Sequence, residues 1–393
     1  MMLTFINARL VMPEGVEPLG YLSVSHGQIV SLGPMESYQP QGEEIQDCKG
    51  LYVAPGFIDL HTHGGGGYDF MDGTLEAMVG AARAHLKHGT TTLLPTTLTS
   101  SDEELFTVMD TFHRAKEINE NMPELLGLHL EGPYLNGQEK GAQDEKYVVL
   151  PEPEHYEKIA LYANGAIKRW SLAPELPGAI EMIGRLAGQG IMFSAAHTAA
   201  TFEHIKEARS KGLSALTHFY SAMSTIVRKQ GRRVLGVVES GYLLDDLWVE
   251  LIADGEHLPP DLLKMILKCK DHDRIFLCTD SMRGAGMPDG PSILGSKKDG
   301  QEVIVEKGIA LMPDKTCFAG SVATTDRLVR VMVHKVGLPI WETVKMVSLN
   351  PAQAIGCDSR KGSLECGKDA DIVLFDDMIT IKGVYVKGVQ ASI

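Results

Sequence analysis

The chain has 393 residues, 44% of them apolar, which supplies a sizeable core and excludes wholesale disorder. Lys and Arg total 37 against 51 Asp and Glu, a net charge of −14. So acidic a chain is a poor partner for nucleic acid or an anionic membrane, and an anionic substrate would need a local cluster of Lys, Arg, His or backbone N–H groups.

In chain order, the first fifty residues read as short strands at 3–8, 21–25 and 28–32, rich in β-formers and separated by Pro, Gly and Glu turns. The opening Met1-Met2-Leu3-Thr4-Phe5-Ile6-Asn7 has neither a basic segment nor a long apolar stretch, so no signal peptide is expected. The far end, 371–376 and 379–386, has the same strand character. Both termini therefore predict one small β-sandwich domain, 1–52 with 359–393.

Between them, apolar runs at 56–60, 90–94, 125–130, 167–172, 191–194, 213–216, 248–252 and 274–278 alternate with helix-like stretches. The clearest helices are 75–88, 102–119, 179–187, 202–209 and 261–268, the last entered through Pro259 and Pro260. Eight strands interleaved with helices predict an α/β chain whose residues 53–358 form a (β/α)8 barrel, typically about 250 residues. A doubly wound sheet is the alternative that periodicity alone does not separate. No run of 18 apolar residues occurs, so no transmembrane helix is expected. Six Cys without a C-x-x-C pair predict free thiols, mostly in the core, and a soluble cytoplasmic protein.

A barrel builds its active site at the C-terminal ends of its strands. The first predicted strand ends in Asp59-Leu60-His61-Thr62-His63, where i, i+2 spacing puts both imidazoles on one side. The third ends in His129-Leu130-Glu131, the fifth in His197, the sixth in His218 and the eighth in Thr279-Asp280. A lone His is more often structural, and a lone Glu or Asp is more often a cap or turn residue. Five such ends in one predicted location instead form a candidate metal site. Neutral imidazoles and carboxylates suit a divalent cation such as Zn2+ or Fe2+, which acidifies its water. Asp280 can move that water's proton to a leaving group.

Other features read more blandly. The glycines at 64–67 lack the Gly-Lys-Ser/Thr of a phosphate loop and read as a flexible loop beside the site. Ser221 and Ser281 lie near His residues, but no G-x-S-x-G elbow accompanies them. Arg228-Lys229-Gln230-Gly231-Arg232-Arg233 is the densest basic run, either a solvated face or an anion clamp.

The string Pro55-Gly56-Phe57-Ile58-Asp59-Leu60-His61-Thr62-His63 resembles the first-strand signature of the metal-dependent amidohydrolase superfamily. The stretch from Gly362 to Val373 resembles that superfamily's return to its β domain. Three further stretches, starting at His129, Ile252 and Thr279, resemble the N-acetylglucosamine-6-phosphate deacetylase family.

That resemblance implies a barrel with a small β domain, usually a homodimer, that hydrolyses the acetamide of N-acetylglucosamine 6-phosphate to glucosamine 6-phosphate and acetate. It implies Glu131, His197 and His218 as metal ligands, His61 and His63 as the extra pair of two-metal members, and Asp280 as catalytic acid and base. It implies one or two divalent ions per subunit and His257 as a substrate contact. The chain departs from the family after the sixth strand. It reads Phe219-Tyr220-Ser221-Ala222-Met223, with Ser221 in place of an Asn near the sugar phosphate, and the basic run replaces a His-Arg-Glu-Pro-Gly segment. Ser221, Ala222, Arg228, Arg232 and Arg233 are thus the expected phosphate-side residues, with Arg232 or Arg233 the expected clamp. N-acetylgalactosamine 6-phosphate is the nearest rival substrate. A cyclic-amide hydrolase of the dihydroorotase or hydantoinase type, and a non-catalytic barrel, are more distant readings.

Overall fold

Alternation along Ile167–Leu172 shows how the barrel is built: Arg169 and Ser171 turn inward, while Trp170 and Leu172 pack among the apolar side chains around the strands. The computed structural model describes residues 2–118 and 121–392. Its barrel strands are Phe57–Thr62, Thr90–Thr97, Leu128–Glu131, Ile167–Leu172, Met192–Ala195, Leu213–Leu216, Trp248–Leu251 and Ile275–Leu277. Each is hydrogen-bonded in parallel to the next. The ring closes just beyond the eighth strand, where Asp280 N–H donates to His61 O over 2.8 Å and Thr62 bridges Ser281. The expected (β/α)8 architecture is therefore present, and the doubly wound alternative is excluded.

Boundaries moved by a few residues. The expected strand 125–130 divides into Glu124–Leu125 and Leu128–Glu131, with Gly127 between them where a side chain would strike Lys168. The helix expected at 102–119 runs Asp102–Lys116, and Asn119 lies outside the described residues. Ser101 caps that helix by accepting from Glu104 N–H. Its acidic first turn and basic last turn both complement the helix dipole.

The terminal strands form a second sheet of eight, in which Met2–Met12 pairs with Gly15–Ser25 on one side and with Glu44–Asp47 and then Tyr52–Pro55 on the other. Tyr52–Pro55 also pairs with Ile372–Phe375, which joins the two ends of the chain. Phe5, Leu10, Leu22, Val53, Ile372 and Tyr385 belong to a core cluster separate from the barrel's. Glu124 beside the second barrel strand pairs with Arg360 and Lys361, and Lys361 is buried against Asp369 and Asp371.

Two features were not expected. An antiparallel sheet of Gly290–Leu294, Gln301–Glu306 and Ile309–Leu311 follows the eighth strand. The basic run folds as a hairpin, Val227–Lys229 against Arg232–Val234. The six cysteines are unpaired as expected, but only Cys48 and Cys278 are buried, and Cys269 and Cys366 are exposed. No described helix is long and apolar enough to cross a membrane.

Candidate active site

At the C-terminal mouth of the barrel four imidazoles and two carboxylates converge. His61 and His63 come from the first strand and the residue after it, Glu131 from the third, and His197, His218 and Asp280 follow the fifth, sixth and eighth. His61 Nε2 lies 3.3 Å from His63 Nε2, and His197 Nε2 lies 3.2 Å from His218 Nε2. Glu131 Oε1 is 3.2 Å from His197 and 3.1 Å from His218, while its Oε2 is 3.3 Å from His63. Asp280 Oδ1 lies 3.1 Å from His63 and 3.4 Å from His61. Two donor groups result, His61–His63–Asp280 and Glu131–His197–His218.

The other ring nitrogen of each imidazole is already engaged. His61 Nδ1 meets Glu250 Oε1 at 2.9 Å, His63 Nδ1 meets Thr96 O at 3.3 Å, His197 Nδ1 meets Glu139 O at 2.9 Å, and His218 Nδ1 meets Ser221 O at 3.2 Å. A carbonyl or ionised carboxylate only accepts, so every Nδ1 carries the proton and every neutral ring aims an Nε2 lone pair into the site. Converging lone pairs and carboxylates require a cation. Ligand atoms about 2.0–2.1 Å from a tetrahedral zinc lie about 3.3–3.4 Å apart, close to the spacings found here. The residues present therefore fit a divalent metal.

Electrostatics agree. Burial would lower His63, but Asp280 and Glu131 outweigh it and push it up to about 9. Burial would likewise raise Asp280, yet His61 and His63 hold it below the ordinary carboxylate range. Glu131 is held well below its usual range, because His61, His197 and His218 overcome its burial. The carboxylates thus call for positive charge at the rings, which either protons on Nε2 or a divalent cation bound by the neutral rings would supply.

The chain strains its backbone to aim these groups. His197, His218 and Asp280 have φ of 45°, 29° and 46°, in the left-handed region, as do Tyr220 at 77° and Ala222 at 47°. Non-glycine residues there cost of order 1–3 kcal/mol each and cluster at functional sites.

Above the donors opens a cavity of about 520 Å³ lined by His63, Glu131, His197, His218 and Asp280 together with Gln143, Ser221, Ala222, His257 and Phe318. His257 Nδ1 is held by Asp254 Oδ2 at 2.9 Å, and its ring lies 4.2 Å from that of Phe318. The expected Ser221, Ala222 and His257 are thus brought to one wall. Arg228, Arg232 and Arg233 are not: they sit on the exposed hairpin, and no Lys or Arg is among the described residues lining the cavity.

The glycines at 64–67 are not a flexible loop. Gly64–Gly65 pairs with Tyr68–Asp69, and the N–H groups of Gly66 and Gly67 donate to Ala285 O and Arg283 O, leaving neither for a phosphate. Ser281 is fully buried against Thr62, Thr279 and Gly64 O, which excludes it as a nucleophile. Sequence reasoning missed Gln143, Asp254, Arg169 and Glu250. Glu250 left a signal, as a lone charge inside an otherwise apolar strand, whereas Arg169 stands with Lys168 and Ser171 in a strand of mixed character.

Residues 52–391 match the model of the amidohydrolase family. The N-acetylglucosamine-6-phosphate deacetylase of Lysinibacillus sphaericus is 36% identical, over 87% of this chain and 86% of its own. The N-acetylgalactosamine-6-phosphate deacetylase of Escherichia coli O157:H7 is 31% identical, over 98% of both chains. The crystal structure of N-acetylglucosamine-6-phosphate deacetylase from Pasteurella multocida superposes over the whole of both chains with a TM-score of 0.92 at 31% identity. With its barrel, its converging donors and a family match spanning most of its length, the chain belongs to the amidohydrolase family.

Proposed function

We propose that the protein hydrolyses the acetamide of N-acetylglucosamine 6-phosphate, releasing glucosamine 6-phosphate and acetate. The observation that carries this reading is the convergence of four Nε2 lone pairs, Glu131 and Asp280 at the mouth of a cavity large enough for a sugar. The relatives' activity supplies the substrate class.

A bound divalent cation supplies Lewis acidity and an acidified water at this position. His61, His63, Glu131, His197 and His218 would hold it, and Zn2+ or Fe2+ suits these donors. The two donor groups favour two ions per chain, with Glu131 offering one oxygen to each group. Metal analysis of the purified protein should find about two.

Asp280 is ionised and exposed only toward the cavity, so it accepts a proton from the attacking water. It then delivers that proton to the amide nitrogen, because an amine leaves readily only when protonated. With Nδ1–H donating to Asp254, the neutral His257 ring turns Nε2 toward the cavity as an acceptor for a substrate hydroxyl or N–H. The burial of the donors keeps bulk water from competing.

A phosphate dianion finds no Lys or Arg side chain along this chain's own cavity wall. The exposed hairpin carrying Arg228, Arg232 and Arg233 is therefore read as a clamp reaching the site of a second subunit in a homodimer. The unpaired cysteines fit a cytoplasmic enzyme. N-acetylgalactosamine 6-phosphate is the second reading, favoured by the near-complete coverage of its deacetylase. Acetate release from N-acetylglucosamine and N-acetylgalactosamine, each with and without a 6-phosphate, tests both. Fastest turnover of the phosphorylated gluco epimer is expected, and no release from any of the four would refute the reading.

A further inference from the structure

Directly beneath the donor cluster one layer of the barrel interior is polar, while Leu94, Met192, Trp248 and Phe276 form a separate buried apolar cluster. Thr96, His129, Arg169, Ser171, Ser194, Thr217 and Glu250 are all fully buried, on or beside consecutive strands. They form one hydrogen-bonded network. His129 Nε2 contacts Ser171 Oγ at 2.7 Å, Thr217 Oγ1 contacts Ser171 and Ser194 at 2.9 and 2.6 Å, and Arg169 donates to Thr217 Oγ1 at 2.9 Å. Arg169 also forms a close ion pair with Glu250 Oε2. A buried network of this size is costly unless it is satisfied and serves a purpose.

Its upper edge meets the site at the backbone carbonyl of Thr96, which faces His63 Nδ1, and at the side chain of Glu250. Glu250 Oε1 accepts both His61 Nδ1–H at 2.9 Å and the backbone N–H of His218 at 3.0 Å. One carboxylate oxygen thus contacts a member of each donor group. We propose that Glu250 is a positioning residue that sets His61's tautomer and anchors His218's main chain, and that Arg169 is the counter-charge that allows this carboxylate to be buried. This rests on a metal centre at these histidines and not on which substrate is hydrolysed.

The physical argument is one of alternatives. An imidazole in a polar barrel can place its proton on either nitrogen and can flip about χ2. Glu250 accepts only, so it fixes the proton on Nδ1 and turns Nε2 outward. At His218 the backbone sits at φ 29°, and a hydrogen bond to its own N–H holds that strained conformation. Glu250 cannot do this alone, because an unpaired buried carboxylate would protonate or recruit water. Arg169 supplies the charge, and its other amino group is fixed by Thr217 and Ser194.

Two double variants separate positioning from mere packing. Arg169→Met/Glu250→Gln removes the ion pair but keeps an amide oxygen for His61 and His218. Arg169→Met/Glu250→Leu removes that acceptor as well. Zinc affinity is read by chelator competition and folding by thermal unfolding. The Gln-bearing pair should bind zinc within about threefold of wild type. The Leu-bearing pair should bind roughly 10–100-fold more weakly at a similar melting temperature. Equal zinc affinity of the two pairs would overturn the proposal. Should the Leu-bearing pair fail to fold, ¹⁵N-histidine NMR of zinc-loaded wild type decides. A His61 Nδ1–H resonance, assigned by its loss in His61→Asn, is expected, and zinc on Nδ1 or an unprotonated Nδ1 would refute it.

Discussion

Gln143 Nε2 donates to Glu131 Oε2 over 2.7 Å, at the carboxylate whose other oxygen faces His197 and His218. The amide oxygen of Gln143 in turn accepts from both the backbone N–H and the hydroxyl of Thr99, each at 2.9 Å. A neutral side chain on the cavity wall therefore locks the orientation of the carboxylate most central to the site. Gln143→Leu should weaken metal binding roughly tenfold or more. It should also cost about 1–3 kcal/mol of stability, since it leaves the Thr99 donors unpaired. Chelator competition and urea unfolding measure the two effects, and unchanged metal affinity would mean that Glu131 is held by its imidazole partners alone.

Asp280→Asn preserves the side chain's shape and removes its proton-transfer chemistry. His61, His63, Glu131, His197 and His218 all remain, so metal content should stay at or above half of the wild-type value. Turnover should fall by roughly 10²–10⁴-fold, the usual contribution of a general acid–base group. A metal-loaded Asn variant with near-wild-type acetate release would remove Asp280 from the mechanism.

The hairpin arginines lie outside this chain's cavity, so their effect should depend on a second subunit. Replacing the true phosphate ligand among Arg228, Arg232 and Arg233 by Ala should raise KM for the phosphorylated sugar by roughly 10–100-fold, the scale of one charge-assisted hydrogen bond. Turnover of the unphosphorylated sugar should barely change. Mixing an Arg→Ala subunit with an Asp280→Asn subunit should recover part of the activity if the clamp acts in trans, and steady-state rates of the mixture read this directly.

Glu124 ties the second barrel strand to the segment returning to the terminal sheet. Burial would raise its pKa, but Arg360 and Lys361 outweigh that and bring it down to about 2 from an ordinary 4.5. Between those values the unfolded chain binds more protons than the folded one. The contribution is therefore complete above about pH 4.5 and is lost as pH falls toward about 2. Glu124→Gln should lower stability near neutral pH by about 1–2 kcal/mol, because Lys361 keeps Asp369 and Asp371. The gap between variant and wild type should close as pH drops through that window. Urea unfolding at a series of pH values checks it, and a constant gap would assign the effect to packing.

The sequence by itself determined the alternating strands and helices and the candidate donors, while closure of the ring was decided by tertiary pairing of Asp280 with His61. Alternation and strand-end position are local properties, and His61, His63, Glu131, His197, His218 and Asp280 could be read from where each apolar run stops. It also showed both termini to be strand-forming, although only the pairing of Tyr52–Pro55 with Ile372–Phe375 shows how they join. What the sequence could not give was partnership between distant residues. Arg169 and Glu250 lie 81 positions apart, and Gln143 meets Glu131 only through the path of a loop. The left-handed backbone at His197, His218 and Asp280 was equally hidden, because non-glycine residues carry no local signal for it and hold it only when surrounding contacts over-determine it. The basic hairpin shows the same limit from the other side. Its charge was plain in the sequence, but its distance from the cavity of its own chain was decided by the tertiary structure, since a solvated hairpin and a phosphate clamp share one composition.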